Sequence, residues 1–451
     1  MRLRKCERCI AALSLIWFVF GITFTIMLLM SASQDKQETI DAVMRYEKNS
    51  LLAVNTSQEA IRKESPKQSA GATEYVKVYA EEKNELYTSV AVPGERWPAP
   101  DYDIHAFYYI WYGNPTLNGK YLHWNHQYLP HWDGKMAVQW PTGFHIPPDD
   151  IGSNFYPELG LYSSANVSTI REHMIQLRTA GIGVISVSWY PPDQADGQGE
   201  STDYLIPRIL DVANQYSIKV CLHIEPYKGR SASSLSTMLQ YIFHNYGNHA
   251  AFYRRKHRGR ELPLFYIYDS YNVKKQEWVR LFKPDGDLSI RNTKLDGIYI
   301  GLLVEQKHQE ELISSGFDGY YTYFASDGFT HGSKGQNWKE LSQQAVANDV
   351  FFIPSVGPGY IDDRIRPWNK INTQLRKDGN YYELKFRLAI EAAPRIISIT
   401  SFNEWHEGTQ IEKAVPKKTK FYKYEDYLPN QSDFYLLLTR KWIHKFKRHK
   451  G

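Results

Sequence analysis

The 451-residue sequence predicts an α/β fold, a (β/α)8 TIM barrel behind a single N-terminal transmembrane helix and a low-order stem. Three observations point there. An apolar run near the N-terminus is long enough to span a bilayer, and a polar stretch follows it. Beyond that, eight short runs dense in β-branched and aromatic residues recur between longer polar or helical stretches.

In chain order, residues 1–9 read as a cytoplasmic tail with Arg2, Arg4, Lys5 and Arg8, and residues 10–30 as an uncharged transmembrane signal anchor. Basic residues before the span keep the N-terminus cytoplasmic and the rest lumenal, a type II topology. A cleaved signal peptide is the competing reading. It wants a shorter apolar core, and only Ser31-Ala32-Ser33 resembles a cleavage site. Residues 31–100 are rich in Glu, Lys, Ser and Gln with no sustained apolar period, which is stem composition. The body runs over 101–451. Cys6 and Cys9 precede the membrane run and Cys221 alone lies in the body, so no disulfide within the body is expected. The sequons at Asn55, Asn166 and Asn430 suit a lumenal body.

The expected strands are 105–112, 182–190, 219–227, 262–269, 296–305, 319–325, 350–356 and 396–405. Near-continuous apolar runs mark strands covered on both faces, and their alternation with helices implies a parallel sheet. Eight units favour a closed barrel over an open doubly wound sheet. The long first crossover, 113–181, carries WNH and PPDD segments that read as loop over the barrel mouth. A last helix is expected after Ser432 as cap, with Phe434, Leu438, Trp442 and Phe446 on one stripe. It reads as a packed terminal helix with a solvated basic end, in preference to a membrane-surface helix.

Composition excludes several functions. A mean hydropathy of −0.51 rules out a polytopic membrane protein. The net charge of +5 is carried by the two chain ends and leaves a mildly acidic body, unlike the basic stripe of a nucleic-acid binder. No G-x-S-x-G elbow and no P-loop appears. His123 and His126 have ligand spacing but loop-like neighbours and no H-E-x-x-H, so no metal and no cofactor is expected. Asp101-Tyr-Asp103 resembles the D-x-D of sugar-nucleotide transferases, yet it precedes the first strand. Aromatics reach 14%, with 33 Tyr and 12 Trp, which suits stacking on sugar faces and also a large aromatic core.

In a barrel of this type the C-terminal strand ends face the active site. They supply Tyr112, Trp189, Tyr190, Glu225, Tyr227, Asp269, Glu305, Tyr323, Asn403, Glu404, His406 and Glu407. Carboxylates for proton transfer beside aromatic platforms are the inventory of a glycoside-processing site. The densest cluster is SFNEWHEGTQIE, 401–412. Its carboxylates Glu404 and Glu407 reach one mouth together only if the chain turns there.

At this segment the sequence resembles glycoside hydrolase family ninety-nine, the family of glycoprotein endo-α-1,2-mannosidases and endomannosidase-like proteins. The resemblance runs from about His105 to the C-terminal helix. It is carried by YLHWNH, PPDDIGSNFYPELG, SWYPPD, HIEPY, YIYDSY, GFDGYYTYFA, IPSVGPGYID and SFNEWHEGTQIEKAVPK. It implies a retaining endo-hydrolase in the Golgi membrane, acting on glucosylated high-mannose N-glycans. The α-1,2 bond between the glucose-substituted mannose and the next mannose is cut, releasing a Glc-Man oligosaccharide. It also implies roles: Glu404 as base toward the mannose 2-hydroxyl, Glu407 as acid on the departing oxygen, and a 1,2-anhydro sugar between. That route fits α-mannose, whose axial 2-oxygen lies trans to the axial glycosidic bond. The usual retaining pair is not in its usual place: 355–360 after strand seven carries no carboxylate, and Asp362 is expected further out in the loop.

Tyr323 is the best further candidate for the reacting sugar. Trp189 and Tyr190 suit a glucose-side pocket, and Glu225 and Glu305 the holding of hydroxyls. Tyr112, Tyr227, Asp269 and His406 complete the expected substrate-binding set. A non-catalytic, lectin-like barrel for glucosylated N-glycans is the alternative, and it need not keep both glutamates. A lumenal glycosyltransferase would need a nucleotide-binding segment, and none is found.

Overall fold

A computed structural model describes residues 97–450. The expected tail, the apolar run at 10–30 and the stem up to residue 96 lie outside these residues. Among the described residues no helix is long and apolar enough to cross a membrane.

The strands are β1 (Asp101–Tyr108), β2 (Ile182–Trp189), β3 (Lys219–Ile224), β4 (Arg254–His257), β5 (Arg260–Ile267), β6 (Ile298–Leu302), β7 (Gly319–Tyr321), β8 (Phe351–Ile353), β9 (Ser355–Val356) and β10 (Ile397–Ile399). The principal helices are α1 (Val167–Ala180), α2 (Ile206–Gln215), α3 (Ala232–Asn245), α4 (Lys275–Phe282), α5 (Gln306–Ser315), α6 (Trp338–Ala347), α7 (Asn380–Glu391) and α8 (Phe434–Lys450). The hydrogen-bonded order is β8-β7-β6-β5-β3-β2-β1-β10-β9, with β4 an antiparallel partner of β5. β8 and β9 are one stretch of chain interrupted at Pro354. Its first half pairs with β7 and its second with β10, all in parallel, so the ring closes through this segment. This is the expected barrel. The expected strands overrun at their C-terminal ends, because aromatic residues there belong to buried mouth loops.

Alternation along each strand sorts the interior. Phe107 packs against His223, Tyr266 and Tyr321 in the barrel axis. His105 below it is bonded to the Tyr266 hydroxyl at 2.8 Å. Two residues further along the same strands come Tyr109, Glu225, Tyr268 and Tyr323, which form the next layer up. The floor of the site is therefore an aromatic and histidine-rich core.

Outside, the helices show the caps that fix their ends. Asn166 accepts from the Ser168 N–H at the start of α1, and Gly181 ends that helix at φ 82°, a conformation that favours glycine. Helix α8 buries Leu438, Trp442 and Phe446, with Trp442 stacked on Phe386 of α7, which is the packed helix expected. Its expected cap is corrected. The Ser432 hydroxyl donates to Glu158, while the Asp433 carbonyl takes the Leu436 and Leu437 N–H groups. Trp97 and Pro98 already pack against Tyr216 and Arg178, so the body's packing begins before Asp101. Asp103 at the barrel floor pairs with Arg255 and Lys450, which makes the D-x-D triplet a structural one. Cys221 in β3 is fully buried, and burial pushes its thiol up to about 12.

The first crossover lies over the mouth. Two single helical turns, Pro115–Asn118 and Gly134–Ala137, stand within it. Its WNH segment is tied to the PPDD stretch, the Trp124 carbonyl accepting from the Gly152 N–H, and meets the last barrel loop, where His126 lies 4.5 Å from His406, ring to ring.

Candidate active site

The loop after β10 turns tightly, as the spacing of its glutamates requires. The Ser401 N–H donates to Thr409, and the Ser401 hydroxyl accepts from the Glu404 N–H at 2.7 Å. Asn403 clamps the end of β1 with both amide atoms, accepting from the Tyr109 N–H at 2.7 Å and donating to the Tyr109 carbonyl at 2.8 Å. Trp405 turns below, its indole N–H bonded to Tyr162 and Glu412. Tyr112 stacks on Trp124 and accepts from the Trp405 N–H while donating to the Asn403 carbonyl. It holds the loop, and its ring presents no face for a sugar.

Glu404 and Glu407 are brought together above the barrel axis. Glu404 is buried, with one carboxylate oxygen accepting from the His406 N–H at 3.0 Å. Desolvation first, then the neighbouring Glu407 charge, pushes its carboxyl well above the usual range. Glu407 keeps 21% of its side chain exposed and lies 3.5 Å from Arg366. Desolvation raises it to about 6, against the pull of Arg366 and with the push of Asp362. Two raised carboxyls in one site share protons in coupled steps, and the deeper Glu404 is the more reluctant to ionise.

Around the pair stand the expected Tyr323 and three groups the sequence did not single out for the site, Tyr109, Asp362 and Arg366. Tyr109 and Tyr323 are hydrogen-bonded hydroxyl to hydroxyl. Burial and the negative charges of Glu404 and Glu407 push both phenols well above their ordinary value, so both stay neutral, and the bonded pair keeps one O–H free to donate. Tyr323 sits at φ 49°, a strained conformation for an aromatic residue. Its N–H is held by Ser355 at 2.7 Å. Asp362 is fully buried, not further out in the loop as expected. It accepts from Tyr360, Arg366 and Asn369 at 2.7, 3.1 and 2.9 Å, and so sits behind the cation that faces Glu407.

Glu225 joins the site: it accepts from the Ser188 hydroxyl at 2.8 Å and lies 3.2 Å from His223. Tyr190 is half-buried beside the charges of Glu225, Asp196 and Asp269, which together with burial raise its phenol. Asp269 is at the same mouth, its carboxyl raised first by burial, and Arg230 donates to its carbonyl at 2.6 Å.

His406 donates through Nδ1 to the Gly152 carbonyl at 2.7 Å, which fixes its tautomer and leaves Nε2 without a protein partner among the described residues. Burial, with His126 and His123 nearby, holds it well below the usual imidazole range. His126 is neutral too. Its Nδ1 donates to Gln127, and its Nε2 accepts from the Gln198 amide at 2.6 Å.

Besides Tyr112, three expected residues face elsewhere. Trp189 is fully buried on the outer face of β2, its indole N–H donating to Asp203 at 2.7 Å. Side chains alternate along a strand, and Ser188 points inward in its place. Glu305 is 58% exposed and pairs with Lys307 at the start of α5. Tyr227 bonds its hydroxyl to Ser234 at the foot of α3.

Comparison with known proteins agrees with this geometry. Residues 99–448 match the family model described as glycosyl hydrolase family 99. The chain is 55% identical over 357 residues to the glycoprotein endo-alpha-1,2-mannosidase of Rattus norvegicus, covering 79% of this chain and 77% of the relative. It is 56% identical over 349 residues to the glycoprotein endo-alpha-1,2-mannosidase-like protein of Homo sapiens, covering 77% and 76%. The fold matches the GH99 endo-alpha-mannosidase from Bacteroides thetaiotaomicron with a TM-score of 0.72 and 44% identity, over 78% of this chain and 99% of that one.

Proposed function

The chain belongs to glycosyl hydrolase family 99, and from that premise we propose that it is an endo-α-1,2-mannosidase trimming glucosylated high-mannose N-glycans. It hydrolyses the bond between the glucose-substituted mannose and the next mannose. The single observation that carries the site assignment is the pair Glu404 and Glu407, both desolvated and both raised, with a cation on one side only.

With one proton between them, the pair supplies a base and an acid at once. In the free site the deeper Glu404 holds that proton. Binding of mannose reverses the preference. The 2-hydroxyl donates a hydrogen bond that favours the Glu404 carboxylate, while the sugar excludes water from Glu407 and favours its protonated form. Glu404 then takes the 2-hydroxyl proton as the 2-oxygen attacks the anomeric carbon from the face opposite the glycosidic bond. Glu407 gives its proton to the departing oxygen. Water attacks the 1,2-anhydro sugar in the second half, losing its proton to Glu407 while Glu404 returns a proton to the 2-oxygen. Two inversions leave net retention. Tyr323 and Tyr109 are neutral and bonded to each other, so the pair has one free O–H, which donates from Tyr323 toward oxygen at the reacting ring while Tyr109 donates to Tyr323. Glu225 and Tyr190 border the glucose side.

The reading places the enzyme in the Golgi membrane as a single-pass type II protein with its body in the lumen. The apolar run at 10–30 with basic residues before it supports that placement. The test incubates the full, detergent-solubilised chain with a glucosylated high-mannose glycan and reads products by mass spectrometry. The parent releases Glc-Man, and Glu404→Gln and Glu407→Gln release almost none. A folded parent that binds the glycan without cutting it would favour the lectin reading instead.

A further inference from the structure

We propose that Trp132 and Trp368 form a separate aromatic subsite for the part of the glycan that stays on the glycoprotein, a neutral high-mannose arm beyond the scissile bond. The proposal rests on the hydrolase reading above for the direction of the substrate. It rests on the following geometry for the site.

The two indoles come from distant segments and meet at a right angle, with ring centroids 5.1 Å apart and planes at 89°. His131 sits between them, 3.9 Å from Trp132 and 5.2 Å from Trp368. The corner is braced: the Leu129 N–H donates to the Ile365 carbonyl at 2.8 Å, and the Trp368 indole N–H donates to the Leu129 carbonyl at 3.0 Å. Trp132 nevertheless stays 75% exposed. A large aromatic ring held in place yet left in water gains little for folding and is ready to cover an apolar surface. Two rings at right angles suit a pyranose, whose C–H faces are apolar and whose hydroxyls point outward to solvent.

Position gives the occupant. Arg366, which faces Glu407 at 3.5 Å, is two residues before Trp368. Asn369, the next residue, donates to Asp362 at 2.9 Å. The strand of loop that braces the acid therefore continues directly into the corner. An acid that protonates the departing oxygen must stand on the leaving-group side, so the corner borders that side. The opposite side belongs to Tyr190 and Glu225. A Glc-Man product has no reason to reach the corner, while the branched mannose arm being retained does.

The experiment compares the full chain with its Trp132→Ala variant on two substrates: a glucosylated high-mannose glycan, and a Glc-Man-Man trisaccharide that ends one sugar past the cut. Trp132 donates no hydrogen bond to the loop, so its removal spares the brace that Trp368 makes. The expected result is a rise of about tenfold in KM for the glycan, with kcat and both constants for the trisaccharide unchanged. Trp132→Phe keeps most of the affinity. An unchanged KM for the glycan, or equal losses on both substrates, overturns the proposal. A second readout is independent of turnover: titration with the glucose-free high-mannose product, followed by indole fluorescence, gives weaker binding for Trp132→Ala. Should the parent cut neither substrate, the hydrolase reading fails. Equal product affinity for parent and variant then counts against the corner separately.

Discussion

If Glu404 and Glu407 are the catalytic pair proposed above, Arg366 sets where that pair titrates, and replacing it moves the pH profile in a definite direction. At 3.5 Å, two unit charges interact by about 4–5 kcal/mol at an effective dielectric of about 20, which caps the effect at about 3.5 pH units. Two features reduce it. Arg366 divides its charge with Asp362 at 3.1 Å, and water reaches the 21% of Glu407 that stays exposed. A shift of about 1–2 units remains. The active form of the pair carries one proton, so the acid limb of kcat/KM follows Glu407, near 6 in the free protein. Arg366 lowers that carboxyl, so Arg366→Met moves the acid limb to higher pH. Asp362 raises it, so Asp362→Asn moves the limb to lower pH. The assay is release of Glc-Man from the glycan across pH 4–9, with thermal melts to confirm that both variants fold. Limbs that stay fixed, or that move together in one direction, would refute the electrostatic assignment of Glu407.

Other outcomes follow from the same geometry. Glu407→Gln loses activity and gains stability: a carboxyl raised from 4.5 to about 6 on folding costs up to about 2 kcal/mol once ionised. The gain over the parent therefore grows as pH rises through 4.5–6 and vanishes below, which denaturant melts at pH 4 and pH 7.5 will show. Tyr323→Phe lowers kcat/KM by about tenfold or more, since it removes a neutral donor at the reacting ring; an unchanged value removes Tyr323 from the reaction. Trp189→Phe costs about 1–2 kcal/mol in melts through the lost bond to Asp203, yet leaves KM for the glycan unchanged. Glu305→Gln changes neither constant, as expected of an exposed helix start.

The strand order, barrel closure and Glu404–Glu407 cluster were legible because each rests on local signals: apolar runs of strand length, and two acids three apart after the last one. Side-chain direction was less legible. Trp189 and Ser188 are neighbours, and only the register of β2 against β3 decides which one points inward; the larger aromatic was the wrong choice. Glu305 follows a strand-like run, but β6 ends at Leu302 and the chain has already turned outward to start α5. Asp362 and Arg366 carry no local signal at all. Their role comes from a loop that folds back so that the Ile361 N–H reaches the Glu407 carbonyl at 2.8 Å. Tyr109 was missed for a simpler reason. It lies inside an aromatic run, HAFYYIWY, where the alternation of β1 alone picks it out.

Cys221 has a practical consequence. It is the one cysteine among the described residues, and a thiol pushed up to about 12 holds almost no thiolate at neutral pH. Among the described residues no disulfide awaits an oxidant, and once the barrel is folded its one thiol is shut away from other partners. Folding of this barrel is thus uncoupled from the redox poise of the compartment that makes it. A bacterial cytoplasm, without disulfide machinery, is chemically as good a place to produce it as a secretory lumen.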